Sequence, residues 1–127
     1  MRLEELDIHA NQITSDGFCT LMTCLRTFNR VKSLDVSHNN IANDLKNFRI
    51  ISKFLNTNKV LEDINFANCD INEKAGQLIA RGLRGNLALQ TLILRDNPLK
   101  KGMVDIAKSF CFNKKALCLK HLDVAKC

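Results

Sequence analysis

The 127-residue sequence predicts an α/β solenoid: right-handed coils stacked into a horseshoe arc, with a parallel β-sheet on the concave side and α-helices on the convex side. Three observations predict it. The apolar pattern L-x-x-L-x-L-x-x-N/C-x-L starts at residues 3, 31, 61, 89 and 119, so its spacing alternates between 28 and 30 residues. A fixed period within the range of ~20–50 residues marks a stacked repeat rather than a globule. Inside each copy, a short stretch of period-two apolar alternation gives way to a stretch of helical period, which reads as a strand followed by a helix.

The strands come first in each copy. Leu6/Ile8, Leu34/Val36, Ile64/Phe66, Leu92/Leu94 and Leu122/Val124 alternate with residues that would face outward. Alternation puts successive side chains on opposite faces, so one face is buried and the other is free. Parallel strands cannot be joined by a hairpin, and their crossovers are right-handed in nearly all known cases. Each strand is followed by Asn11, Asn39, Cys69, Asn97 or Cys127. An Asn amide donates and accepts at once, so it can close its own turn and bond the next coil. The thiols at 69 and 127 are weaker donors that tolerate burial.

Helices are expected after the turns. Their predicted buried faces are Phe18, Leu21, Met22, Leu25 and Phe28; Leu45, Phe48, Ile51 and Leu55; Ala75, Leu78, Ile79 and Leu83; and Val104, Ala107, Phe110 and Cys111. Ser15-Asp16 and Asn72-Glu73 supply helix-start chemistry. Gly17, Gly76 and Gly102 share a repeat phase and read as helix-packing positions, whereas Gly82 and Gly85 lie near a helix end and read as termination signals.

These residues resemble the leucine-rich repeat superfamily, and the helical copies of alternating 28 and 30 residues are similar to its ribonuclease-inhibitor-like subfamily. The resemblance spans residues 3–127, a single domain (1–127) of about four and a half repeats. The Asn/Cys order N, N, C, N, C departs from strict alternation. Proteins of this superfamily include inhibitors, actin regulators, Ran GTPase activators, receptor sensor domains and axonemal components. The resemblance therefore specifies a fold and leaves function open. No polar capping segment precedes Leu3 or follows Cys127, where a solenoid normally carries one. The expectation is a segment of a longer repeat array, with the alternative that an uncapped edge docks on a partner or on another copy.

Composition narrows the function classes. No apolar run reaches the ~18–20 residues that span a bilayer, and Met1-Arg2-Leu3-Glu4-Glu5 does not open like a secretory signal. A cytoplasmic, intracellular setting is expected, with the six cysteines as free thiols. Most of these thiols are expected to be small core residues. They form no C-x-x-C or Cys/His zinc spacing, so no metal or other cofactor is expected. No phosphate-cradling glycine loop and no Ser-His-Asp arrangement occur, and carboxylates on an open wet face lack the burial that shifts a pKa for acid–base work. His9 and His38 fall on adjacent coils and could approach each other.

Charge is partitioned. Strand and turn positions on the concave side hold eight of the 13 acidic residues (Glu4, Glu5, Asp7, Asp35, Glu62, Asp63, Asp96, Asp123) and four of the 19 basic ones (Lys32, Arg95, Lys120, Lys126). The remainder is strongly basic and includes Arg26, Arg30, Lys46, Arg49, Lys53, Lys59, Arg81, Arg84, Lys100, Lys101, Lys108, Lys114 and Lys115. Such a back keeps a protein soluble, or docks an acidic polymer: nucleic acid, a membrane surface or an acidic filament such as a microtubule. Nucleic acid fits poorly, because Tyr and Trp are absent and base stacking would rest on Phe.

The expected protein-binding site is the concave face. Its central column is Asp7, Asp35, Asn65, Ile93 and Asp123, and the next is His9, Ser37, Ala67, Arg95 and Ala125. The selected site residues are Asp7, His9, Asp35, Asn65, Ile93, Arg95 and Asp123, with Ile93 as an exposed aliphatic anchor. The expected function is a non-enzymatic scaffold that binds another protein through this face or its open edges. The alternatives are a structural component of a cytoskeletal or axonemal assembly, and a GTPase-activating module like the Ran activators, for which no catalytic residue can be carried onto this chain.

Overall fold

Five coils share one sheet. In the computed structural model, which describes residues 2–28, 30–112 and 118–127 (backbone only at Phe112), β1 (Glu5–Asp7), β2 (Ser33–Asp35), β3 (Asp63–Asn65), β4 (Thr91–Ile93) and β5 (His121–Asp123) alternate with α1 (Ser15–Thr27), α2 (Leu45–Thr57), α3 (Glu73–Leu83) and α4 (Gly102–Phe112). Strand order follows chain order, β1-β2-β3-β4-β5, and every pairing is parallel. The register is uniform: Leu6, Leu34, Ile64, Leu92 and Leu122 form one row. Strands stack about 4.8 Å apart, whereas helices with their side chains are about 10–12 Å wide. Stacking both in the same coils bends the solenoid, with the sheet inside the arc.

The core lies between sheet and helices. Leu34, Ile64 and Leu92 from the strands meet Phe18, Met22, Phe48, Ile51, Phe54, Leu55 and Ile79 from the helices, all buried. Phe18 stacks on Phe48 with ring centroids 6.4 Å apart and meets Phe66 edge-on at 6.1 Å. This aromatic cluster ties the first three coils together.

The Asn ladder is present but runs in the opposite direction to the expectation. Asn39 Oδ1 accepts from the Asn11 and Ile13 N–H groups, and its Nδ2 donates to the Ile8, Val36 and Ser37 carbonyls. Asn97 repeats this on Cys69, Ile71, Phe66, Leu94 and Arg95. Each Asn therefore binds its own turn and the preceding coil. Cys69 reproduces the donor half, with Sγ 3.3 Å from the Val36 carbonyl and 3.5 Å from that of Ala67. It lacks the amide oxygen, so the Ile41 N–H folds back to the Asn39 carbonyl at 2.9 Å; before Cys127, Leu99 does the same with Asn97 at 2.8 Å. The turns alternate accordingly. Gln12 and Asp70, which precede an Asn coil, are left-handed (φ 56° and 56°), whereas Pro98, which precedes a Cys coil, has its φ held negative by its ring.

Several expectations change in the helices. Val104 is 53% exposed and Ala107 and Cys111 are exposed; α4 buries Ile106 and Ser109 instead. Its phase is set by Gly102, where an added Cβ would lie 2.9 Å from the Glu73 carbonyl oxygen of α3. Phe28 falls beyond α1 and is 65% exposed. Gly82 is the penultimate residue of α3, near the helix end as expected, and it has a packing role as well. It lies inside α3 against α2, where a Cβ would sit 2.7 Å from the Ser52 carbonyl oxygen. Asn72 caps α3 by accepting from the Ala75 N–H at 3.0 Å, as expected. For α1 the cap position is Thr14, without a side-chain bond, and the Ser15 N–H is satisfied by Asn43 of the next coil. Lys114 and Lys115 lie outside the described residues.

The thiols also depart from expectation. All six are free, but only Cys69 is buried; Cys19 is half-buried, and Cys24, Cys111, Cys118 and Cys127 are exposed. Helix phase turns Cys24 and Cys111 away from the core. Burial pushes the Cys69 thiol up to about 12, so it holds almost no thiolate at neutral pH. With an alkylating reagent at neutral pH, mass mapping of the native chain is expected to show Cys24, Cys111 and Cys118 modified and Cys69 unmodified until the chain is unfolded.

Candidate functional site

The strand register assembles the expected site on one face. Asp7, Asp35, Asn65, Ile93 and Asp123 are successive partners across β1 to β5. His9 lies beside Asp7, and Arg95 reaches Asp123. Asp7, His9 and Arg95 are exposed, whereas Asp35, Asn65, Ile93 and Asp123 are half-buried. Ile93 is thus less protruding than an exposed anchor. The second column is interrupted, because Ser37 and Ala67 are buried.

The acidic column also has a structural duty that the alternation pattern did not disclose. Asp7, Asp35, Asn65 and Asp123 each accept, through Oδ1, the backbone N–H two residues on, at His9, Ser37, Ala67 and Ala125. These are Asx turns that end each strand. The recurrence of Asp or Asn at the same phase in four of five coils is the signal for this role. Ile93 cannot make the bond, so the fourth coil leaves its turn without it. Asn58 and Asn86 form a second set of turn closers that the sequence reading missed. They accept from Val60 and Leu61, and from Ala88 and Leu89, at 2.7–3.1 Å.

Lateral bonds link the column. Asn65 Nδ2 donates to Asp35 Oδ2 at 2.9 Å, and Arg95 Nε lies 3.3 Å from Asp123 Oδ2. Lys32 Nζ lies 3.4 Å from Glu4 Oε2 at the strand entrance. Asp7 Oδ1 is 2.6 Å from His9 Nδ1. That side-chain hydrogen bond holds Asp7 below its ordinary 3.8 and, with the Asp7 charge, lifts His9 above its ordinary 6.5. His38 does not meet His9; its Nδ1 bonds Asn68 Nδ2 at 3.0 Å.

The raised His9 makes the pair fully present below 6.5 and lost as pH climbs through the higher folded value. The lowered Asp7 makes it present above 3.8 and lost as pH falls through the lower folded value. An NMR titration is expected to place His9 above 6.5, and Asp7→Asn is expected to bring it back toward that value.

The carboxylates line an open sheet, and no group of three or more His, Cys, Asp or Glu able to hold a metal occurs among the described residues. A cavity of about 460 Å³ beside β1 and α1 is walled mainly by Leu3, Leu6, Leu21, Leu25, Phe28 and Val31, with Cys24, Thr27 and Arg30 also on its lining. No helix among the described residues is long and apolar enough to cross a membrane.

Parallel strands in chain order, helices behind them and an Asn/Cys ladder between coils define a leucine-rich-repeat solenoid. The family description Leucine Rich repeat matches residues 31–44, which hold β2 and its Asn39 turn. Among solved structures, the chain is similar to the tropomodulin C-terminal domain of Caenorhabditis elegans, with a TM-score of 0.72 and 13% sequence identity over 97% of this chain and 74% of that one. That likeness is one of fold. No curated protein sequence matches this chain.

Proposed function

We propose that the chain is a non-enzymatic scaffold that binds a partner protein through the concave face of its sheet. The observation that carries the proposal is the in-register row Asp7, Asp35, Asn65, Ile93 and Asp123, which places one aliphatic side chain among polar neighbours on a rigid sheet. A half-buried aliphatic ringed by polar groups suits a small hot spot with a hydrated rim. The acids favour a basic partner surface and faster encounter. Asp35 and Asp123 already share their outer oxygens with Asn65 and Arg95, so Asp7 and the half-buried Ile93 are the freer contact groups. The free thiols suit an intracellular, cytoplasmic setting.

Ile93→Ala is expected to leave the unfolding transition within about 1 kcal/mol of wild type while weakening partner capture from native lysate. Loss of the fold instead would place Ile93 in the core.

A structural role in a cytoskeletal or axonemal assembly is the second reading. It is favoured by the basic helical face, and its fold-level support is the likeness to a tropomodulin domain. Salt-sensitive co-sedimentation with actin filaments or microtubules is its expected signature. Acceleration of GTP hydrolysis by a small GTPase in single turnover would replace both readings with a GTPase-activating one.

A further inference from the structure

We propose that the groove between α2 and α3, on the face opposite the sheet, docks an acidic segment of a partner protein. Two contiguous hollows of about 540 and 220 Å³ run along this seam and share Arg49, Leu78 and Arg81 as walls. Lys53 extends the groove at one end and Lys74 at the other. Arg49 and Lys53 stand one turn apart on α2, as do Gln77 and Arg81 on α3, so each helix turns its cations toward the other. No acidic residue lines either hollow, and none of the four cations joins an ion pair among the described residues. Four like charges held across a groove disfavour each other, and an anion relieves that repulsion.

The groove's shape and lining select the kind of anion. Gly82 fixes its width, because α2 and α3 touch where a side chain would strike the Ser52 carbonyl. Leu78 supplies an apolar floor, and Asn56 and Gln77 add amide groups able to bond a peptide backbone. The guanidinium groups of Arg49 and Arg81 match carboxylates in a two-point geometry. The groove has no aromatic side chain on which a nucleobase could stack. The exposed large hydrophobics among the described residues, Leu3, Phe28, Leu87 and Val104, all lie elsewhere, so nothing beside the groove enters a bilayer. This site is independent of the concave face.

The test is fluorescence anisotropy of the full chain with a labelled short peptide of Glu pairs separated by Leu. The expected result is salt-sensitive binding that weakens at least about tenfold in Arg49→Glu/Arg81→Glu and less in Lys59→Glu/Lys108→Glu, which makes the same charge change elsewhere. Arg49→Gln/Arg81→Gln is expected to fall between them, and thermal melts confirm that each variant is folded. Equal weakening in both Glu variants would overturn the proposal. So would absence of peptide binding, or tighter binding of single-stranded DNA or phosphatidylserine vesicles than of the peptide.

Discussion

Asn97→Ala is expected to destabilise the chain by about 3–5 kcal/mol, read as a lower urea midpoint with an unchanged slope. The side chain is 1% exposed and serves five backbone groups. Truncation strands the N–H groups of Cys69 and Ile71 in a fully buried region. Each unsatisfied buried group costs about 1–3 kcal/mol, partly recovered where water enters. Asn97→Cys is expected to cost less, because Cys69 shows that a thiol serves the donor half of the role. It will not be neutral. The Ile41 N–H folds back on Asn39 where a thiol follows, whereas Asp70 holds the third turn in a left-handed conformation (φ 56°) that would have to change. Asn11→Ala should shift stability by no more than about 0.5 kcal/mol, since the exposed Asn11 side-chain amide bonds, among the described residues, only the His9 carbonyl.

The second large effect is at the sheet's inner row. Leu34→Ala is expected to cost about 2–5 kcal/mol by equilibrium unfolding, the usual range for truncating a buried leucine. Leu34 is 1% exposed and lies between Leu6 and Ile64 in the register. Leu6→Ala should cost less, because Leu6 is only partly buried and borders the first-coil cavity.

These two residues also show what the sequence discloses and why. Period-two alternation reports which face of a strand is buried, so the Leu34 row and the Asp35 row were both legible. The spacing of 28 and 30 residues marked the coils. Asn chemistry predicted a ladder, but not its direction, which depends on how adjacent coils are offset. The α4 phase was illegible because Met103, Val104, Ile106, Phe110 and Cys111 are apolar or weakly polar on several sides of one helix. The close approach of Gly102 to Glu73 decides between them, and that is a tertiary fact. Cys24 and Cys111 follow their helix phases rather than the general tendency of cysteine to be buried. Of the concave site, the row was legible, but the commitment of each Asx side chain to its own turn was not read from it.

On the proposed function, the concave row around Ile93 and Arg95 is the partner-binding face. The most direct measurement is quantitative capture from native lysate by wild type, Ile93→Ala/Arg95→Ala and the helix-face variant Lys108→Ala. The prediction is a partner recovered by wild type and Lys108→Ala and lost with the concave variant, all three having the same melting transition. Undiminished recovery by a folded Ile93→Ala/Arg95→Ala variant would contradict it.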